Sequence, residues 1–192
     1  YALNDPGFGM LLQQFNMGKD KVVAVQNGGG IRAPFSGDIK REDILNMLPF
    51  FKTVYFAMVP GSTLLEVLEA NTQLTPDELM GGFPQVAGIE YVVDATKAYD
   101  PGDLYPGSSY HKPKSIQRVI IQSINGKPFD VNSNYVLLAN DFVAAGGDAY
   151  YPIGQLPLRL DSGIGLNKVV ENYLRSGCET NVSASNDVPE VP

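Results

Sequence analysis

Residues 21–32 read Lys-Val-Val-Ala-Val-Gln-Asn-Gly-Gly-Gly-Ile-Arg. The first six residues predict a buried strand, since β-branched and small apolar side chains run without a break and then stop at glycine. Three consecutive glycines let the backbone take φ > 0 and come close to a ligand. Successive N–H groups in such a loop can form a nest for an anion. Arg32 adds a planar fork of donors that fits a phosphate. A tight strand-to-loop turn carrying a surface arginine fits the same letters. The loop is not a Walker motif, because no Gly-Lys-Ser/Thr follows it.

Outward from this stretch, elements of both kinds follow. Residues 9–17 predict a short helix with Leu11, Leu12 and Phe15 on one side. Residues 40–48 predict a second, stopped by Pro49. Thr53 to Val59 predicts a strand. Thr63 to Glu66 has the spacing of a capping box opening a helix with Leu64, Leu65, Val67 and Leu68. Thr75-Pro76 predicts a further turn of helix. Ile89 to Val93, Val119 to Ile124 and Tyr135 to Ala139 predict strands, with Asn125-Gly126 as a turn. Residues 95–116, rich in Pro and Gly, read as a long surface excursion. Residues 165–175 predict an amphipathic helix. The irregular alternation predicts an α/β (α+β) domain, with mixed β-sheets layered with helices, over 1–177. A polar tail or linker follows over 178–192.

Composition narrows the function. The 192 residues suit one domain with a full core, or two small lobes. A net charge of −7 and only 14 scattered Lys and Arg argue against binding a nucleic-acid polymer, which needs many cations to replace counterions. A small anion needs only one or two donors. The single cysteine, Cys178, excludes an internal disulfide and a cysteine-built metal site. The single histidine, His111, cannot organise a two-metal centre and reads as a solvated loop residue. No apolar run is long enough for a membrane-spanning helix.

Two other stretches carry candidate chemistry. In Leu48-Pro49-Phe50-Phe51 two adjacent aromatics face opposite ways from an extended chain, so one can meet a ligand while the other packs. Residues 140–150, Asn-Asp-Phe-Val-Ala-Ala-Gly-Gly-Asp-Ala-Tyr, again combine a preceding strand, an aromatic, a glycine pair and an acid. Asp148 can accept hydrogen bonds from ribose hydroxyls, or simply fix its own turn. Stacking faces, a hydroxyl acceptor and a phosphate-compatible loop together describe a site for a nucleotide. No nucleophile elbow and no acid–base pair is present.

Four motifs stand in order: NGGGIR (27–32), LPF (48–50), FPQVAG (83–88) and NDFVAAGGDAY (140–150). Through them the chain resembles the C-terminal domain of the 5′-nucleotidase and UDP-sugar hydrolase family, ecto-5′-nucleotidase included. The likeness runs from about Gly9 to Tyr150. It implies a substrate-binding domain whose partner is an N-terminal metallophosphoesterase domain, absent from this chain, that holds two divalent metal ions and the catalytic His/Asp pair. No catalytic or metal-binding residue is expected here. The resemblance implies that Phe50 and Phe142 sandwich the base and that Asp148 holds the ribose hydroxyls. It places Asn27, Gly29 and Arg32 against the substrate. It implies hydrolysis of nucleoside 5′-monophosphates by the whole enzyme, and an extracellular, cell-wall or periplasmic setting. UDP-sugar hydrolase and 2′,3′-cyclic phosphodiesterase with 3′-nucleotidase activity share the scaffold; a non-catalytic nucleotide-binding or adhesion module is the reading of another class. Three features depart from the family. The arginine that family members often carry just upstream of the first helix is either lost or outside this chain, whose first basic residue is Lys19; Phe51 and Lys52 stand where an Asn or Gly is common; and residues 95–116 are longer than in the compact bacterial members. Asn181-Val182-Ser183 is a glycosylation sequon, meaningful only in a eukaryotic secretory host.

Overall fold

A computed structural model describes residues 6–176. The tail over 178–192, with Cys178 and the sequon, lies outside the described residues. The central feature is a five-stranded mixed sheet. It comprises β1 (Val22–Asn27), β2 (Thr53–Pro60), β3 (Pro84–Ala87), β9 (Asn134–Asn140) and β10 (Arg159–Gly165), side by side in the order β10-β2-β9-β1-β3. Within it β1 and β9 run parallel; the other neighbours are antiparallel. One row crosses the whole sheet through Leu160, Phe56, Leu138, Ala24 and Ala87.

Alternation along the strands divides the core in two, because successive side chains leave opposite faces. Val23, Val25, Ala57, Val59, Tyr135, Leu137 and Ala139 face one layer. That layer holds Leu64, Val67 and Leu68 of helix α3 (Gly61–Ala70) and the inner faces of β4 (Ile89–Val93) and β7 (Val119–Ile124). On the other face Val22 and Val136 meet Phe8 and Leu12 of helix α1 (Pro6–Gln14), and Phe8 stacks on Phe56 at 5.2 Å. Strands β4 and β7 form a second sheet, closed by the short β8 (Lys127–Pro128) beside β7. The hairpin turn between β7 and β8 has positive φ at both Asn125 and Gly126. An Asn-Gly pair tolerates that double positive φ better than other residues do.

Several elements differ from expectation. Helix α1 spans Pro6–Gln14 rather than 9–17. Proline suits a first turn, and Asn16, at positive φ, turns the chain out of the helix. Helix α2 (Arg41–Met47) matches, with the Asp43 carboxylate accepting from the Lys40 backbone N–H at 2.7 Å. The capping box expected at Thr63 is not there. Helix α3 starts three residues earlier behind Pro60, and the Gly61 N–H donates to the Ser133 carbonyl instead. After Thr75-Pro76 the chain makes hydrogen-bonded turns and no helix.

The expected surface excursion is largely a two-stranded ribbon, β5 (Pro101–Leu104) with β6 (His111–Pro113). His111 is part of β6, not a solvated loop residue, and its Nδ1 lies 2.8 Å from the Gly102 carbonyl oxygen. Buried polar groups tie the neighbouring chain to α3. The Glu69 carboxylate accepts from the backbone N–H groups of Gln117, Arg118 and Val119. The Arg118 guanidinium donates to the carbonyls of Thr72 and Thr75. Among the described residues no helix is long and apolar enough to cross a membrane.

Candidate functional site

Strand directions gather the three motifs at one end of the sheet. Parallel β1 and β9 both finish there, at Asn27 and Asn140. Antiparallel β2 begins there, just after Phe50, Phe51 and Lys52, with Val54 opposite Asn140. Strand β10 ends there with Gly165 opposite Thr53, and helix α5 (Leu166–Arg175) follows. In α/β sheets the carboxyl ends of parallel strands are the usual place for a ligand, because the loops that leave them diverge.

The two strand-end asparagines are joined across the sheet. Asn140 Nδ2 donates to Asn27 Oδ1 at 2.8 Å and to Gln26 Oε1 at 2.9 Å. Asn140 Oδ1 accepts from the Val143 N–H at 2.8 Å. That bond caps helix α4 (Asp141–Ala144). Both asparagines are buried. Asn27 Nδ2 in turn reaches Asp148 Oδ2 at 3.5 Å. Asp148 has positive φ, a left-handed conformation that aspartate tolerates better than most residues. Partial burial raises its carboxyl above the ordinary range, and the Asn27 amide works against that rise.

The glycine loop does not behave as a free nest. Gly28–Gly30 form a 3₁₀ turn, and none of the three has positive φ. The Gly28 N–H donates to the Phe83 carbonyl at 3.0 Å and the Gly29 N–H to the Gly81 carbonyl at 2.8 Å. Glycine is needed for close approach: a Cβ on Gly29 would lie 3.1 Å from Gly81 Cα. The Gly29 carbonyl accepts from Arg32 Nη1 at 3.1 Å, and the guanidinium lies 5.6 Å from the Phe50 ring centroid. The Gly81–Phe83 segment, of which the sequence reading picked out only Phe83, also accepts at the Gly82 carbonyl from the Tyr150 hydroxyl at 2.8 Å. It thereby links the glycine loop to the turn that carries Asp148.

Neither candidate stacking ring belongs to the core. Phe50 is 49% exposed and Phe142 36% exposed. Phe51, also at positive φ, is exposed as well. Gly147 serves the neighbouring ring. A Cβ there would fall 2.4 Å from Phe142 Cζ, so the absent side chain makes room for the Phe142 ring itself. Lys52 also escaped the sequence reading as a contact residue. Its Nζ lies 5.4 Å from the Phe142 ring centroid and 3.3 Å from Asp141 Oδ1.

The structure thus joins Asn27 to Asp148 and joins Gly29, Arg32 and Phe50, with Phe142 reached through Lys52. A small cavity of about 10 Å³ lies among Gln26, Gly30, Leu48, Phe50, Lys52 and Asn167. A larger hollow of about 580 Å³ lies elsewhere, beside the β5–β6 ribbon, and none of the expected substrate residues lines it. Among the described residues no group of three or more His, Cys, Asp or Glu is placed to hold a metal ion.

Comparison with known proteins shows the family of the chain. The family described as 5′-nucleotidase, C-terminal domain, matches residues 6–154. The trifunctional nucleotide phosphoesterase protein YfkN of Bacillus subtilis is 41% identical over 132 residues, 67% of this chain and 8% of that protein. Protein UshA of Escherichia coli is 28% identical over 169 residues, 88% of this chain and 26% of its own length. A 5′-nucleotidase precursor from Thermus thermophilus superposes with a TM-score of 0.66 at 27% identity, over 91% of this chain and 31% of that one. The chain therefore spans only a minor part of each of these relatives.

Proposed function

The chain belongs to the 5′-nucleotidase C-terminal domain family, and on that premise we propose that it is the nucleotide-binding part of a metal-dependent phosphohydrolase. The observation that carries the proposal is the convergence at one sheet end of two exposed phenylalanines, an arginine and a partly buried carboxylate. Phe50 and Phe142 offer faces for a base, and aromatic stacking of this kind tolerates any base because each has a π-face. Asp148, held by Asn27, accepts from the ribose hydroxyls. Arg32, held by the Gly29 carbonyl, contacts the substrate near its phosphate. Asn27 and Gly29 shape the wall between them.

Hydrolysis itself belongs to the rest of the enzyme. In this reading two divalent metal ions sit in an N-terminal metallophosphoesterase domain and supply the activated water. This chain's residues bind and orient the nucleoside. The substrate is a nucleoside 5′-monophosphate, and the work is done outside the cytoplasm. The relative in Bacillus subtilis bears a trifunctional name, which favours a second reading in which other nucleotide esters are cut too.

The test is a panel of nucleotides offered, with added divalent cations, to this chain alone and to the protein that carries it together with the upstream domain. Phosphate release from 5′-monophosphates by the longer protein alone is expected. Metal-dependent release by this chain alone, or none by the longer protein, would overturn the proposal.

A further inference from the structure

We propose that Lys52 selects the base, favouring purines with an oxygen at position 6, guanine or hypoxanthine, over adenine. The inference rests on the proposed nucleotide site and deepens it. Lys52 follows Phe50 by two residues and places its ammonium over one face of the Phe142 ring, 5.4 Å from the centroid. A base that stacks on that same face lies beside the ammonium and turns an edge towards it.

The ammonium is not free to wander. It pairs with Asp141 Oδ1 at 3.3 Å, and that buried oxygen makes no hydrogen bond. The Lys52 backbone is fixed too, since its carbonyl accepts from the Leu166 N–H at 2.7 Å. Lys52 also lines the small cavity that Phe50 and Gln26 share.

Lysine has donors and no acceptor. The guanine and hypoxanthine edge offers two adjacent acceptors, O6 and N7, whereas adenine offers N7 beside an amino group that is itself a donor. An ammonium facing that edge gains a bond from the first pair and meets a competing donor in the second. Stacking area still favours any purine over a pyrimidine, so the lysine acts within the purines.

The test measures affinities of this chain for the 5′-monophosphates of guanosine, inosine and adenosine. It compares the unsubstituted chain with Lys52→Met, Lys52→Arg and Phe142→Ala, and follows thermal unfolding alongside. The unsubstituted chain is expected to prefer the two 6-oxopurines by about tenfold, within the range of a single good edge contact. Lys52→Met should bring the ratio near one by weakening those two while adenosine monophosphate keeps its affinity. Lys52→Arg, which retains donors, should restore the preference. A ratio unchanged in a folded Lys52→Met chain overturns the role of Lys52, and if Phe142→Ala still weakens all three nucleotides the site itself stands. No binding of any nucleotide, or none that depends on Phe142, overturns both.

Discussion

Gly147→Ala should mimic the loss of Phe142 without touching a ligand. A Cβ added at Gly147 would stand 2.4, 2.5 and 2.6 Å from Cζ, Cε1 and Cε2 of Phe142. Carbon atoms pack at about 3.5–4.0 Å, so the ring has to retreat by roughly 1 Å or more. The backbone at Gly147 does not take positive φ, so alanine introduces no strain there. The ring is 36% exposed and free to swing outward. Its displacement costs about 0.5–1.5 kcal/mol of stability at most, the scale of an off-rotamer side chain. Its stacking energy, about 1–3 kcal/mol per base, is what the ligand loses. Nucleoside affinity should then fall about 5- to 150-fold, at about 1.4 kcal/mol per tenfold. Calorimetric titration of a nucleoside into Gly147→Ala, Phe142→Ala and the double variant, with thermal unfolding in parallel, measures this. The double variant should bind no more weakly than Phe142→Ala, because both changes remove one interaction. Full affinity in Gly147→Ala, or losses that add in the double variant, would refute the reasoning.

The remaining predictions reach other parts of the molecule. Phe50→Ala should weaken nucleoside binding by a similar factor with little change in melting, since the ring is 49% exposed; calorimetry and unfolding curves check both halves. Arg118→Met takes the guanidinium donor from the Thr75 carbonyl and one of two donors from the Thr72 carbonyl, which keeps the Thr75 N–H. It should cost about 1–3 kcal/mol in denaturant unfolding, the scale of a buried acceptor left unsatisfied, and the surviving folded chain should bind nucleoside unchanged. Asp148 has a carboxyl raised by burial, so its folded pKa lies above the unfolded value of about 3.9. Its contribution to stability is present below that value and is lost as pH rises through the folded pKa. Asp148→Asn should therefore gain stability relative to the unsubstituted chain as pH rises through that window, and should lose the preference for ribose over 2′-deoxyribose at neutral pH. Paired unfolding and titration series across pH read both effects.

How much of this was legible in the sequence depends on how local the cause was. Residues 21–26 and 135–139 announce strands because each apolar position is set by the sheet's two faces. The Asn125-Gly126 turn is equally local. The β5–β6 ribbon was not legible, since Pro, Gly and Tyr at 101–113 lack alternation and a distant group ties the ribbon down: the Gln73 side chain accepts from the His111 N–H. Strand β10 was missed because Gly163, at positive φ, and a register shift between Asp161 and Gly165 interrupt its pattern. The start of α3 was misread for a tertiary reason: Ser133, far along the chain, supplies the acceptor at the helix start that Thr63 was expected to provide. At the site, Phe50 and Phe142 were legible as rings that need not be core. The Asn27–Asn140 bond spans 113 residues and no local pattern encodes it. The Gly147 role was equally hidden, because it depends on where the Phe142 ring leans.

Where a nucleotide lies is read most directly from a crystal structure of this chain with adenosine 5′-monophosphate. The base is predicted between the Phe50 and Phe142 rings, with a ribose hydroxyl within hydrogen-bond distance of Asp148 and the phosphate on the Arg32 side. A base lodged in the hollow beside the β5–β6 ribbon, with both rings unoccupied, would contradict it.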